Sequence, residues 1–123
     1  MAANGRVLVV EDEVLIRMLA VDMLEELGYA PVEAGDGAGA KELLRDGADY
    51  VVIFLDVGLP DIRGDELIRN VRDDGVTIPL LVASGEDPVE LKQRLGEFSP
   101  IGFLPKPYSM EQLREALTAL TVS

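Results

Sequence analysis

Five side chains that could do chemistry each follow a short apolar run of the sequence: Glu11, Asp12, Asp56, Ser84 and Lys106. Carboxylate oxygens are preferred ligands of Mg²⁺, and neighbouring carboxylates repel one another unless a cation lies between them. An ionised aspartate can also act as a nucleophile towards phosphorus. A hydroxyl and an ammonium group can hold the phosphoryl oxygens and neutralise their charge. The set therefore indicates phosphoryl transfer to Asp56 beside a Mg²⁺ ion held by carboxylates.

Each of these residues taken alone has a simpler structural explanation. Asp and Ser are common in turns and at helix N-termini, so Asp12 could cap a helix that begins at Glu13. Lys106 could be an exposed loop lysine. Asp56 is harder to explain in this way, because it ends a strand predicted to be buried, where an unpaired charge is unfavourable. The functional interpretation depends on the combination of the five residues.

The composition excludes several classes of function. Among 123 residues there are 11 Lys and Arg against 23 Asp and Glu, which gives a net charge of −12, and there is no Cys or His. Such an acidic chain is a poor general binder of nucleic acid, which attracts clusters of Lys and Arg. Without Cys or His the chain has no disulfide and no thiol or imidazole chemistry, and it cannot itself be a phosphohistidine donor. No apolar run reaches the ~18 residues of a membrane span and no secretory signal is recognised, so we expect a cytoplasmic protein without a membrane partner.

Short β-branched runs alternate with segments of helical period along the chain. The predicted strands are Val7–Val10, Ala30–Ala34, Tyr50–Leu55, Ile78–Ala83 and Ile101–Leu104. The predicted helices are Glu13–Leu27, Gly37–Arg45, Gly64–Arg72, Asp87–Leu95 and Ser109–Leu120. This alternation predicts an α/β fold with a five-stranded parallel sheet and helices on both faces, a doubly wound arrangement. Ligands of such sheets bind at the carboxyl ends of the strands, where the five candidate side chains stand.

Local signals support several element boundaries. The first helix repeats large apolar residues at steps of four from Leu15 to Leu27, which defines a broad apolar face. Asp87–Pro88 is typical of a helix N-terminus, and Ser109–Gln112 is a capping box. Pro105 has no amide donor, so it predicts either an edge position for the last strand or an early end.

With these motifs in this order, the chain resembles a receiver domain of the two-component response-regulator family over essentially its whole length. The matching segments are the acid pair Glu11 and Asp12, the acceptor segment Phe54–Pro60 with Gly64 beyond it, Ala83–Gly85 and Lys106–Tyr108. Spacings of 44, 28 and 22 residues separate Asp12, Asp56, Ser84 and Lys106 in turn, and they agree with this family. The resemblance implies a flavodoxin-like (βα)5 fold and a single receiver domain over residues 1–123 with no output domain.

The resemblance also implies how the acid residues work. Asp56 would receive the phosphoryl group from a phosphohistidine. Glu11, Asp12 and Asp56 would bind Mg²⁺, and the backbone carbonyl of Gly58 would complete the metal shell.

Further roles follow from the same resemblance for the residues after the last two strands. Ser84 and Lys106 would contact the phosphoryl group, and the peptide bond between Lys106 and Pro107 would be cis. Phe103 stands where the family has an aromatic switch residue that turns inward. Glu86 stands two residues beyond Ser84, a place that in this family modulates access of the hydrolytic water.

The resulting hypothesis is a single-domain response regulator and not an enzyme, beyond catalysis of its own phosphorylation and dephosphorylation. Its donor would be a sensor histidine kinase or a histidine phosphotransfer protein, with the apolar first helix as a candidate docking surface. It would signal to a protein target by a conformational change or act as a phosphate sink. One alternative is a Mg²⁺-dependent phosphatase of the haloacid dehalogenase type, although Gly58 replaces the second Asp of that motif. The other alternative is a receiver-like adaptor that is not phosphorylated.

Overall fold

The computed structural model describes residues 4–47, 49–56 and 61–121 of the chain. Within these ranges five strands alternate with five helices in the predicted order. The strands are β1 (Arg6–Val10), β2 (Ala30–Ala34), β3 (Val52–Asp56), β4 (Leu80–Ser84) and β5 (Ile101–Pro105). The helices are α1 (Val14–Glu26), α2 (Gly37–Arg45), α3 (Gly64–Asp73), α4 (Pro88–Leu95) and α5 (Met110–Thr121), and a 3₁₀ turn, Gly96–Phe98, follows α4.

All neighbouring strands pair in parallel, in the order β2-β1-β3-β4-β5. Parallel neighbours need a crossover connection, and helices fill the crossovers here. The strand order changes direction at β1, so the carboxyl ends of β1 and β3 lie side by side at one edge. Open α/β sheets bind ligands at such a switch point. The prediction of a doubly wound parallel sheet is confirmed.

The helices cover both faces of the sheet with two separate apolar clusters. One cluster joins alternate strand residues, such as Leu8 and Ile53, to α2, α3 and α4. The other joins the intervening residues, such as Val9 and Phe54, to α1 and α5. Because both faces of β3 are covered, the strand is buried up to Leu55, which explains its uninterrupted apolar sequence.

Two strands begin two residues later than the sequence predicts. Tyr50 and Ile78 are apolar but precede β3 and β4. Pairing sets these starts, since β3 first meets β1 at Val52. Before β4, Pro79 has no N–H to donate, although its carbonyl accepts from Ile53 N at 2.9 Å. Apolar character alone does not reveal where a neighbouring strand begins.

Helix α1 buries a different face from the one that its sequence suggests. Ala20 and Leu24 are buried, whereas Leu15 and Leu19 are 76% and 58% exposed. Of the residues at steps of four, Leu15 and Leu19 thus lie exposed, whereas Met23 packs against the apolar cluster beneath α1 and α5. Periodicity could not identify the buried face, because the N-terminal half of α1 is apolar on both sides.

Three other local predictions are confirmed. The Asp87 side chain accepts a hydrogen bond from the backbone N–H of Val89, in the first turn of α4, at 2.9 Å. Ser109 and Gln112 form the reciprocal capping box of α5. Pro105 is the last residue of β5, which is an edge strand.

Among the described residues, no helix has both the length and the apolar character needed to cross a membrane.

The N-terminus of α2 is capped from two sides. Asp36 accepts a hydrogen bond from Gly39 N at 2.7 Å. Asp61, from the segment before α3, accepts from Gly37 N at 2.9 Å and from Ala38 N at 3.0 Å. The hydrogen bond from the Gly37 N–H lowers the pKa of Asp61 below its usual value, and the one from the Ala38 N–H lowers it further. This second cap links α2 to the segment that follows β3.

Replacement of Asp61 by Asn is expected to lower the stability of the fold at neutral pH, because a neutral amide oxygen accepts these N–H groups less strongly. The pKa of Asp61 is lower in the folded chain than its ordinary value of 3.8. Its contribution is therefore present above that value and is lost as the pH falls through the lower folded pKa. Urea midpoints of the two proteins should therefore stay apart from about pH 6 down to about pH 4 and converge only as the pH falls further below 3.8. A difference that stays constant as the pH falls below 3.8 would contradict the role of the Asp61 charge.

Candidate functional site

Three carboxylates gather where β1 and β3 end side by side. Glu11 and Asp12 follow β1, and Asp56 is the last residue of β3. One oxygen from each of the three carboxylates lies within 4.8 Å of the others. An all-oxygen set at this spacing fits a hard cation such as Mg²⁺, which keeps its remaining positions for water or phosphate oxygens. Topology thus brings together the three side chains that the sequence predicts as metal ligands.

Glu11 is the most buried member of this acid cluster, with 5% of its surface exposed. Burial raises the pKa of Glu11 to about 7, and the charge of Asp56 adds to the effect. The N–H of Glu13, which donates to Glu11 Oε2 at 3.2 Å, acts in the opposite direction. Burial and the charge of Asp56 therefore both disfavour the ionised form of Glu11. A divalent cation at this site would favour that ionised form.

The ammonium group of Lys106 lies beside the acid cluster. Lys106 Nζ is 3.4 Å from Asp56 Oδ2 and 3.9 Å from Glu11 Oε1. Lys106 follows β5, and its backbone N–H donates to Ser84 O at 2.9 Å. Its peptide bond to Pro107 is cis, as the family resemblance implies. A cation in this position can neutralise charge that develops on a phosphoryl group at Asp56.

Ser84 ends β4, the strand next to β3, and is 3% exposed. The preceding residue, Ala83, pairs with Asp56 across the sheet. Ser84 Oγ accepts a hydrogen bond from Glu86 N at 3.0 Å and donates to Glu86 Oε2 over a longer 3.5 Å. In this structure the hydroxyl is therefore engaged with the loop between β4 and α4.

Phe103 and Gly58 complete the set of predicted site residues. Phe103 lies in β5, is half-buried and packs against the apolar cluster under α2, α3 and α4. Its role as a switch stays a prediction. Gly58, whose carbonyl the resemblance implies as a metal ligand, lies outside the described residues.

Tyr108 is a neighbour of the acid cluster to which the sequence assigns no role. It lines a cavity of about 20 Å³ together with Glu11, Asp56 and Lys106, and this space is enough for about one water molecule. Its ring meets Phe54 edge to face, with centroids 6.0 Å apart. Burial raises the pKa of Tyr108, and the charges of Glu11 and Asp56 raise it further, so its hydroxyl stays neutral. The only signal in the sequence is its position two residues after Lys106.

Known proteins with similar sequences contain receiver domains. A family model described as the response regulator receiver domain matches residues 7–118. Sensor kinase CckA of Brucella abortus (strain 2308) is 33% identical over 114 residues, which cover 92% of this chain and 12% of the kinase. Response regulator MprA of Mycobacterium leprae (strain TN) is 34% identical over 116 residues, which cover 94% of this chain and 50% of the regulator. The chain thus spans half or less of the length of these curated relatives.

Solved structures resemble the whole fold. The chemotaxis protein CheY4 of Vibrio cholerae matches with a TM-score of 0.86 at 31% identity, over 96% of this chain and 99% of that one. The receiver domain of the hybrid histidine kinase CckA matches with a TM-score of 0.79 at 30% identity, over 96% and 100% of the two chains. These likenesses confirm the flavodoxin-like arrangement of the sheet and helices. Because the family model covers residues 7–118 and solved receiver domains match along nearly their full length, the chain belongs to the response regulator receiver domain family of two-component signalling.

Proposed function

We propose that Asp56 accepts a phosphoryl group from a phosphohistidine while Mg²⁺ is bound by Glu11, Asp12 and Asp56. The observation that carries this proposal is the 3.4 Å contact of Lys106 Nζ with Asp56 Oδ2 beside the three-carboxylate cluster. A fixed cation and a metal site beside the same carboxylate are the charge-neutralising groups that phosphoryl transfer needs. Receiver domains are in general phosphoacceptors rather than true enzymes. This chain would at most catalyse its own phosphorylation and dephosphorylation.

The proposed transfer is a displacement at phosphorus. An Oδ atom of Asp56 forms the new bond while the N–P bond of the donor phosphohistidine breaks. The electron pair of that bond returns to the imidazole nitrogen, which takes up a proton from solvent. Lys106 neutralises the phosphoryl oxygens, and the Ser84 hydroxyl donates to one of them after it leaves Glu86. Bound Mg²⁺ supplies the positive charge that keeps the carboxylates from repelling the incoming phosphoryl group.

The two alternative functions have less support. A phosphatase of the haloacid dehalogenase type is disfavoured by the membership of the chain in the receiver family. An adaptor that is never phosphorylated would leave the convergence of three carboxylates and Lys106 on one sheet edge without a use.

Incubation with acetyl phosphate and Mg²⁺, followed by intact mass spectrometry, tests the proposal. We expect the native chain to gain one phosphoryl group and to show no gain when EDTA removes the metal. Asp12→Ala should need a much higher Mg²⁺ concentration for the same uptake, whereas Asp22→Ala, an exposed position on α1, is the matched control. Uptake in EDTA, or none at any Mg²⁺ concentration, would contradict the proposal. Steady release of phosphate from simple phosphate esters would favour the phosphatase instead.

Helix α1 offers a docking surface for the phosphodonor. This α1 patch consists of Val14, Leu15, Met18 and Leu19, each more than half exposed. Residues at these spacings share one side of a helix, and α1 starts directly after the acid pair. A contiguous patch of large apolar side chains is a feature of interaction surfaces. We therefore propose that a sensor histidine kinase or a histidine phosphotransfer protein packs against the α1 patch.

Leu15→Glu is expected to slow phosphotransfer from a histidine phosphodonor about tenfold, because burial of one large apolar side chain is worth roughly that factor. Uptake from acetyl phosphate should not change, since a small donor needs no docking surface. Val89→Glu is the matched control, because Val89 is 64% exposed on α4, outside the α1 patch. An equal loss with both donors, or an equal loss in both variants, would argue against docking at α1.

Downstream of Asp56, we propose a conformational signal to a protein partner or a role as a phosphate sink. A signal would require Ser84 and Phe103 to move on phosphorylation, whereas a sink would not. A cytoplasmic location stays a prediction from the sequence.

A further inference from the structure

A chain of hydrogen bonds runs from Ser84 through the β4–α4 loop to helix α3. Ser84 Oγ exchanges hydrogen bonds with the N–H and the carboxylate of Glu86, at 3.0 Å and 3.5 Å. Both oxygens of that carboxylate accept from Arg94 on α4, at 3.3 Å each. Arg94 also donates to Asp65 in the first turn of α3, through Nε at 2.5 Å and Nη2 at 3.5 Å. Arg94 thus lies between two carboxylates, which raise its pKa and keep it charged.

The guanidinium fork of Arg94 fixes the orientation of the Glu86 carboxylate. Two N–H groups reach one oxygen each, an arrangement that restricts a carboxylate more than a single contact does. The Glu86 side chain is 43% exposed, so without this fork it would sample several rotamers in water. The preceding residue, Gly85, has open space at its Cβ position, so tight packing does not hold the loop there. The orientation of the Glu86 carboxylate therefore depends on Arg94.

The Ser84 hydroxyl has a single hydrogen to donate. While that hydrogen is directed to Glu86 Oε2, it is not available to a phosphoryl oxygen on Asp56. We propose that Arg94 is a positioning residue: it holds the Glu86 carboxylate, and through it the Ser84 hydroxyl, in the hydrogen-bonded arrangement seen here. Arg94 thereby lowers the affinity of the site for a phosphoryl group. This inference rests on the proposed function of Asp56 and extends it to the regulation of the same site.

The test measures the affinity of the chain, in Mg²⁺, for beryllofluoride, a phosphoryl mimic that binds to a carboxylate, by fluorine NMR. Arg94→Met should tighten binding about threefold, because the partly exposed contact between Arg94 and Glu86 no longer has to be broken. Lys92→Met, on the same helix and exposed, removes the same charge and should leave the affinity unchanged. In a Glu86→Ala background, which already lacks the carboxylate, Arg94→Met should have no further effect.

A second readout is independent of phosphoryl binding. In the chain without the mimic, Arg94→Met should shift the backbone amide resonances of Ser84, Gly85 and Glu86, whereas Lys92→Met should leave them in place. Unshifted resonances in Arg94→Met would overturn the inferred hold on the loop.

Each remaining outcome also decides the matter. Weaker or unchanged binding in Arg94→Met, or the same effect in Lys92→Met or in the Glu86→Ala background, would overturn the role of Arg94 and leave Asp56 as the acceptor. Failure of the native chain to bind the mimic in Mg²⁺ would overturn the proposed function, and the role of Arg94 with it.

Discussion

Replacement of Lys106 by Met is expected to slow phosphoryl uptake from acetyl phosphate by about 100-fold. The ammonium group lies 3.4 Å from Asp56 Oδ2, and the side chain is 29% exposed, so water screens its charge only in part. Met keeps the apolar stem of the side chain and removes the donor and the charge. The rate constant comes from the phosphorylated fraction in intact mass spectra at successive times.

Two variants control this measurement. Lys41→Met removes a cation from α2, in the groove between α2 and α3, and should leave the uptake rate unchanged. Lys106→Arg keeps the charge with a different shape and should recover part of the rate. Uptake at the native rate in Lys106→Met would remove Lys106 from the phosphoryl site.

Arg72→Met is expected to destabilise the fold by about 3 kcal/mol and to lower Tm by about 10 °C. The guanidinium of Arg72 donates at 2.9 Å to four backbone carbonyls, those of Val76, Ile78, Phe98 and Pro100. Two of these carbonyls lie between α3 and β4, and two lie just before β5. Arg72 therefore ties together the amino ends of two neighbouring strands, at the edge of the sheet opposite the acid cluster. Its loss would remove the Arg72 donor from three partly buried carbonyl oxygens, those of Val76, Ile78 and Phe98.

Arg69→Met is the matched control for this effect. Arg69 is on the same helix, is exposed and lies 5.5 Å from the ring centroid of Phe98, a contact worth less than about 1 kcal/mol. Thermal unfolding followed by circular dichroism measures both variants. Below its Tm, Arg72→Met should still take up a phosphoryl group, since Arg72 lies far from Asp56 along the strands. Equal Tm values for the two variants would show that the four carbonyl contacts contribute little.

The features of the fold that depend on residues close in sequence were predictable. The buried strand at Val52–Leu55 is recognisable because both faces are apolar, and the α4 and α5 caps involve partners only two or three residues apart. The order of the elements then restricts the topology, because parallel strands need helical crossovers.

Contacts between distant residues were not predictable in the same way. Asp61 caps α2 across 24 residues, Arg72 reaches Pro100 across 28, and Arg94 reaches Asp65 across 29. A long charged side chain has many partners within reach, and its sequence neighbours do not indicate which one it meets. The exposure of Leu15 on α1 was unpredictable for a related reason, because an apolar side chain can pack against a partner protein as well as in the core.

The candidate site combines both cases. Parallel strands end at one edge of the sheet, so the convergence of Glu11, Asp12, Asp56 and Lys106 follows from topology once the strands are identified. The hydrogen bonds of Ser84 with Glu86 depend on the conformation of a loop, which strand and helix patterns do not encode.

The position of the phosphoryl group on the chain is the most direct test of the central claim. Borohydride reduces an acyl phosphate to the alcohol, so a phosphorylated aspartate becomes homoserine while an unmodified one does not react. After treatment with acetyl phosphate and Mg²⁺, peptide mass spectrometry is predicted to find homoserine in place of Asp56, and none in the Asp56→Asn variant. Homoserine at Asp12 or at another aspartate, or phosphoryl uptake that persists in Asp56→Asn, would contradict the assignment of Asp56 as the acceptor.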